Sequence, residues 1–463
     1  MKFIGRTQEL KRLGSLLSRS GQANALVYGR RRVGKSELIK QALQANSSVT
    51  SIYFECRQTS EQDNVSSLVD LASSALGFPP LALNSFRELL DFLFDQAQSK
   101  NIVLTLDEYP YLRDAVKGLD SILQTVIDRN REYSNLKIIL CGSYVEVMKS
   151  LVEASNPLYG RIDQTIELGP MDYYDASLFY PGYTPEDKVR IYSVFGGIPY
   201  YNRFVDTGKT VEENIVGLVT EPGARFENEI PQYLGTEISK IVNANEVFGA
   251  LAQGYSRWKD LLAQSHVSSG PAMADILDKL IKLSLVQKQA PINDPQNKRK
   301  AGYHIIDPLA LFYYRYVFRF SSQRQLLDPS VFYARFVDED FETNHAPHMF
   351  EEVCRQYLVR QNRAGNIDPA FDAIGKYWYD DPKNHTSGEF DVVTHDPNGY
   401  VFYEAKFGAT PVTQKMIDQE IEQVKATGLE CHRYGFFSRS GFEADGADGV
   451  ELIGLDELYS QDR

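Results

Sequence analysis

The chain predicts an α/β architecture of several domains, and three observations carry that expectation. Four short apolar runs, rich in β-branched or aromatic residues, alternate with amphipathic stretches over its first third. A second group of strand-like runs follows after a long, mainly helical interval. The 463 residues are 43% hydrophobic, enough apolar material for about three domains at roughly 150 residues each.

In chain order, ANALVY (23–28), SIYFEC (51–56), IVLTL (102–106) and KIILCG (137–142) read as strands bounded by turn residues. The stretches 36–45, 64–75, 85–98 and 119–128 read as the helices between them. Runs that are apolar throughout suit strands covered on both faces, so a parallel, doubly wound sheet is expected over residues 1–170. From 171 to 240 the strands stop. Asp172 and Thr184 look like N-caps of short helices, FGGIPYY at 195–201 breaks the pattern, and a helical subdomain is expected. Residues 241–328 read as helix, short helix, longer helix (270–285) and a polar, hairpin-like stretch from 286 to 306. Asp328-Pro329 reads as a linker into a last α/β domain, 329–463, with a helix near 350–359 and strand-like YWYDD, GEFDVVTH and YVFYEAKFG.

Composition excludes several classes. With 62 acidic and 49 basic residues the net charge is −13, which disfavours a chain coated by nucleic acid or anionic lipid but leaves room for a local basic face. Cys56, Cys141, Cys354 and Cys431 lie far apart without a C-x-x-C pair, so reduced thiols are expected rather than a zinc or redox centre. The first residues mix charge into their apolar positions, and no run reaches the roughly 18 uncharged apolar residues of a membrane span. A cytoplasmic protein with no membrane partner is expected.

The sharpest motif is GRRRVGKS, 29–36, which fits G-x-x-x-x-G-K-[ST] between a strand ending at Tyr28 and a helix opening at Gly34. Gly29 and Gly34 permit the tight turn that aims amide N–H groups at phosphate oxygens. Arg30, Arg31, Arg32 and Val33 form the loop, and Glu37 enters the helix. Lys35 supplies a point charge to the β and γ phosphates, and the Ser36 hydroxyl a ligand for Mg²⁺. The three arginines either touch phosphate or carry solvated charge. IVLTL runs into Asp107-Glu108 at the carboxyl edge of the sheet, where Asp107 is placed to hold Mg²⁺ through water and Glu108 to polarise an attacking water. KIILCG ends at Ser143, which either senses the γ phosphate or caps the next helix. Arg161, in PLYGR, is either a finger on a neighbouring subunit's nucleotide in a homo-oligomer or a salt-bridge partner. No N-K-x-D guanine-reading element follows, so ATP is expected rather than GTP.

FIGRTQEL, GRRRVGKS, LDEYPYL, CGSYVEVM, PLYGR and FGGIPYY, in that order, resemble the archaeal-type ATPase family of P-loop proteins, a branch near the AAA+ and STAND ATPases. The resemblance continues into YHIIDPLALFYYRYV and a nuclease-like tail, and so covers most of the chain. It implies ATP and Mg²⁺ carried by Lys35, Ser36, Asp107 and Glu108, and leaves open what the ATP drives.

Further along, the element order of 241–305 resembles a winged helix. Over 255–305 eight basic residues (Arg257, Lys259, Lys279, Lys282, Lys288, Lys298, Arg299, Lys300) face four acidic ones (Asp260, Asp275, Asp278, Asp294), a local balance of +4. Such an excess suits a recognition helix in a DNA groove and a wing on phosphate; a protein-contact spacer is the other reading. The aromatic run 311–320 is too dense to face water and reads as core. In the tail, Asp391 in GEFDVV and Glu404-x-Lys406 in YEAKFG resemble a PD-(D/E)xK nuclease core, with Glu351 or Glu352 added from a helix. Residues two apart on a strand share a face, so Asp391 and Glu404 would hold Mg²⁺ while Lys406 orients water or steadies the phosphorane. His345, His348 and His385 lack ligand spacing and read as solvated or hydrogen-bonded. Two functions follow. One is a DNA-associated ATPase whose tail binds or cuts nucleic acid with Mg²⁺; the other is a nucleotide switch acting through protein partners, with an inactive tail.

Overall fold

Five short runs become the parallel sheet of the first unit: β1 (Ala23–Tyr28), β2 (Thr50–Glu55), β3 (Ile102–Asp107), β4 (Lys137–Gly142) and β5 (Gln164–Glu167). The computed structural model describes residues 3–237, 241–297, 299–381, 386–429, 431–446 and 448–460; Lys298 and His385 lie outside the described residues. The chain divides into two units, Met1–Met171 and Asp172–Arg463.

In the first unit the strand order is β2-β3-β4-β1-β5, and every neighbouring pair is parallel. The three central strands are buried along their whole length, as uninterrupted apolar runs require. The helices are α1 (Thr7–Ser18), α2 (Lys35–Gln44), α3 (Glu61–Leu76), α4 (Phe86–Gln96), α5 (Tyr109–Ala115), α6 (Leu119–Asn130) and α7 (Val145–Ser150). The helix expected from Asn64 begins three residues earlier, because the Ser60 hydroxyl accepts the Asp63 amide and caps it. β5 escaped the sequence reading: three of its four residues are polar and only Ile166 is buried.

The second unit opens with helices Tyr173–Ser177 and Pro185–Phe195, capped by Asp172 and Thr184 through the amides of Asp175 and Asp187. Helices Ile241–Ala252, Trp258–Gln264 and Gly270–Lys282 follow. An antiparallel hairpin comes next, β6 (Val286–Gln289) with β7 (Gly302–Ile305). Leu311, Phe312, Tyr314, Tyr316 and Val317 are buried, but Phe318 is 40% exposed, so the aromatic run is core only as far as Val317. Asp328-Pro329 is not a linker. The Asp328 carboxylate accepts the Ser330 amide at the start of helix Pro329–Phe336, since Asp before Pro serves a helix N-terminus as readily as a break.

The tail begins with helix Ala346–Ala364, then β8 (Ala373–Asp381), β9 (Thr386–Asp396) and β10 (Gly399–Lys406). Beyond these lie β11 (Val412–Thr413), helix Gln414–Ala426, β12 (Cys431–Ser438), β13 (Phe442–Glu443) and β14 (Val450–Gly454). The tail sheet runs β14-β12-β10-β9-β8, antiparallel across β8, β9 and β10 and parallel across β10, β12 and β14. All four cysteines are free. Among the described residues no helix is long and apolar enough to cross a membrane.

Candidate nucleotide site

Because β4 lies between β1 and β3, the carboxyl ends of three adjacent strands deliver the loop after Tyr28, the Asp107-Glu108 pair and Ser143 to one edge. A crevice at the carboxyl ends of such a sheet is where ligands of this fold class bind. Gly34 has φ 93° and caps α2, a left-handed conformation that favours glycine. At Gly29 a Cβ would stand 2.1 Å from the Leu168 carbonyl oxygen, just beyond β5, so only glycine fits beside that backbone.

Lys35 is buried. Its Nζ donates to the carbonyls of Gly29 and Arg30 at 2.9 and 3.0 Å and to Ser143 Oγ at 2.9 Å. Burial pushes its pKa down, while Cys141, Glu108 and Asp107 pull the other way. Ser143 Oγ in turn donates to Glu108 Oε1 at 2.8 Å. Ser36 Oγ donates to Asp107 Oδ2 at 2.7 Å, and the Glu108 amide to Oδ1 at 3.0 Å. The Tyr53 phenol also donates to Oδ2. Burial works to raise the Asp107 pKa, but the hydrogen bonds from Tyr53, Cys141, Ser36 and the Glu108 amide outweigh it and hold the carboxyl below its ordinary value. An ionised carboxylate beside a hydroxyl is an all-oxygen donor set, the kind Mg²⁺ takes.

Other expected residues fall around this core. Arg30 is buried, against the expectation of solvated charge, and only Arg32 is exposed. Arg31 lies over the Tyr144 ring, 5.6 Å from its centre. Val33 is buried and Glu37 exposed. Ser143 does not cap α7, whose N-cap position is Tyr144 without a side-chain bond. Arg161 is engaged by Asp128, Nε to Oδ1 at 2.8 Å and Nη2 to Oδ2 at 2.7 Å. Sequence reasoning missed Tyr53, Cys141 and Arg6, the last donating to the carbonyls of Gly169 and Val33. Tyr53 stands opposite Thr105 on β3, a register no spacing in the sequence displays.

In the tail, β9 and β10 pair Val392 with Tyr403, so Asp391 and Glu404 follow as neighbours across the ladder. Each meets a lysine. Lys376 Nζ lies 2.5 Å from Asp391 Oδ1 and 3.6 Å from Glu389. Lys406 Nζ lies 2.7 Å from Glu404 and 2.9 Å from Glu420. Burial raises the Glu404 pKa despite Lys406. Glu351 sits 3.5 Å from His348 Nδ1 and contributes to the field that raises the Lys376 pKa against burial. His345 is buried, its Nε2 2.8 Å from the Ser193 carbonyl, and burial pushes it down to about 3. Among the described residues no three His, Cys, Asp or Glu side chains are grouped to hold a metal. Asp391 and Glu404, expected to hold Mg²⁺, each lie against a lysine.

Residues 3–202 match a family described as an ATPase domain predominantly from Archaea, and residues 313–420 a family of archaeal and bacterial proteins of unknown function. An uncharacterized protein of Methanocaldococcus jannaschii is 24% identical over 416 residues, 88% of this chain and 87% of that one. The Walker-type ATPase of Pyrococcus abyssi shares the fold, with a TM-score of 0.51 at 21% identity over 68% of this chain and 96% of its own. The ORC2 protein of Aeropyrum pernix, in ADPNP and ADP complexes, gives 0.44 at 14% identity over 70% and 95%. The matched region 3–202 contains the phosphate loop, both acidic residues, Ser143 and Arg161.

Proposed function

We propose that the ATPase domain binds ATP with Mg²⁺ and hydrolyses it slowly. The observation that carries this reading is the Ser36–Asp107 contact of 2.7 Å between the loop helix and the end of β3. Lys35 would hold the β and γ phosphate oxygens, and Ser36 with Asp107 would hold the metal, which neutralises charge on the phosphates when bound. Glu108 would take the proton of the attacking water. The chain from Lys35 through Ser143 to Glu108 ties that base to the phosphate-binding lysine. Isothermal titration with ATP tests the site: Lys35→Ala should abolish the heat of binding, and a full signal from that variant would overturn the assignment.

For the second unit we infer association with DNA through the winged-helix-like segment, supported by its local charge of +4, with no cleavage step. Specific contacts favour the switch reading alongside it. Lys279 and Lys282 pair with Asp275 and Asp278 on the same helix. The hairpin is bound to β8, with the Ile292 amide on the Lys376 carbonyl at 2.8 Å and the Asn293 side chain on both backbone groups of Trp378. Arg257 stacks on Trp378 at 4.6 Å. DNA affinity that falls steeply with salt supports the first reading. Its absence, together with ATP-dependent assembly with protein, supports the second. Mg²⁺-dependent cutting of plasmid that Lys406→Ala abolishes would overturn the inactive tail.

A further inference from the structure

Resting on the Mg²⁺-ATP reading above, we infer that Tyr53 is a positioning residue for Asp107, fixing the carboxylate that holds the metal. Tyr53 belongs to β2, which pairs with β3 and lies three positions from β1 and its phosphate loop, and its phenol reaches the site. That hydroxyl and Ser36 Oγ both donate to Asp107 Oδ2, while Oδ1 receives the Glu108 amide. Donors on both oxygens, arriving from three different elements, fix the plane of the carboxylate. The ring itself is held by Lys40, whose Nζ lies 5.1 Å from its centre. An uncharged donor orients the carboxylate without cancelling its charge, so a cation is still attracted there. Outer-shell partners of this kind set the orientation of a metal-binding group, and their loss usually weakens metal affinity more than it disturbs the fold.

The test uses the full chain with ADP and Mn²⁺ as a paramagnetic stand-in for Mg²⁺, free metal being read by electron paramagnetic resonance. Tyr53→Phe keeps the ring and removes only the donor. It should weaken Mn²⁺ affinity about 10-fold while metal-free ADP affinity stays within about twofold of wild type. The Mg²⁺ concentration for half-maximal hydrolysis should rise in parallel. Asp107→Asn, which removes the charge itself, should lose more. Unchanged Mn²⁺ affinity in Tyr53→Phe overturns the inference, and so does an equal loss of metal-free ADP binding, which would mark Tyr53 as a packing residue. If wild type binds neither ADP nor ATP, the ATPase reading fails instead, and the two failures are told apart by the wild-type titration alone.

Discussion

The phosphate-loop edge and the tail cluster use the same kinds of side chain, lysines and carboxylates, and shift their carboxylates in opposite directions. Around Asp107 the donors are a phenol, a hydroxyl, a thiol and an amide. None carries a positive charge, so the carboxylate keeps its own and stays below its ordinary pKa. Around Glu404 the nearest donor is an ammonium, and a second carboxylate, Glu420, shares it. There burial wins and the pKa rises. The loop also has main-chain curvature that turns peptide dipoles toward an anion. In the tail each pair of carboxylates shares one ammonium, whereas the donors on Asp107 are all uncharged.

The sharpest way to break this contrast is to remove one carboxylate from each side. Glu108→Gln should lower ATP turnover about 10²- to 10⁴-fold with ATP affinity retained, while Glu404→Gln leaves turnover unchanged; steady-state phosphate release measures both. Equal losses would mean that the two sites act as one. A packing test comes next. At Gly142 a Cβ would stand 2.7 Å from Met148 Sδ and 2.9 Å from Pro110 Cδ, so Gly142→Ala should cost about 1–3 kcal/mol in denaturant unfolding.

The carboxylate contrast can be titrated directly by side-chain carboxyl NMR. Asp107 should ionise below its ordinary 3.8 and Glu404 above its ordinary 4.5. The two then act on stability in opposite ways. Asp107 contributes stability that is present above its unfolded value and lost as pH falls through the folded one. Glu404 binds its proton more tightly in the folded state, so its contribution declines as pH rises from about 4.5 through the raised value. The smallest expected effect is at Arg161. Its pair with Asp128 is partly exposed, so Arg161→Ala should change unfolding stability by less than about 1 kcal/mol. A fall in turnover that depends on protein concentration would identify the arginine as a finger acting between subunits.

What could be read from the sequence follows one physical rule. The central strands were legible because strands buried on both faces must be apolar along their length, as 102–106 and 137–142 are. The loop was legible because its backbone geometry tolerates glycine alone at Gly29. The caps at Asp172 and Thr184 were legible because capping is local. Asp328-Pro329 misled because the same dipeptide opens helices and ends them.

The amino-acid order by itself determined the phosphate loop, the acidic pair after the third strand and the alternation that makes the sheet parallel, since each depends on neighbours within a few residues. Only the tertiary structure decided that β4 lies between β1 and β3, that Tyr53 reaches Asp107 from another strand, and that Lys376 and Lys406 sit on the tail carboxylates. Those contacts join residues separated by 54, 15 and 2 positions. Even the shortest separation permits several partners for one ammonium, and sheet register with rotamer choice selects among them.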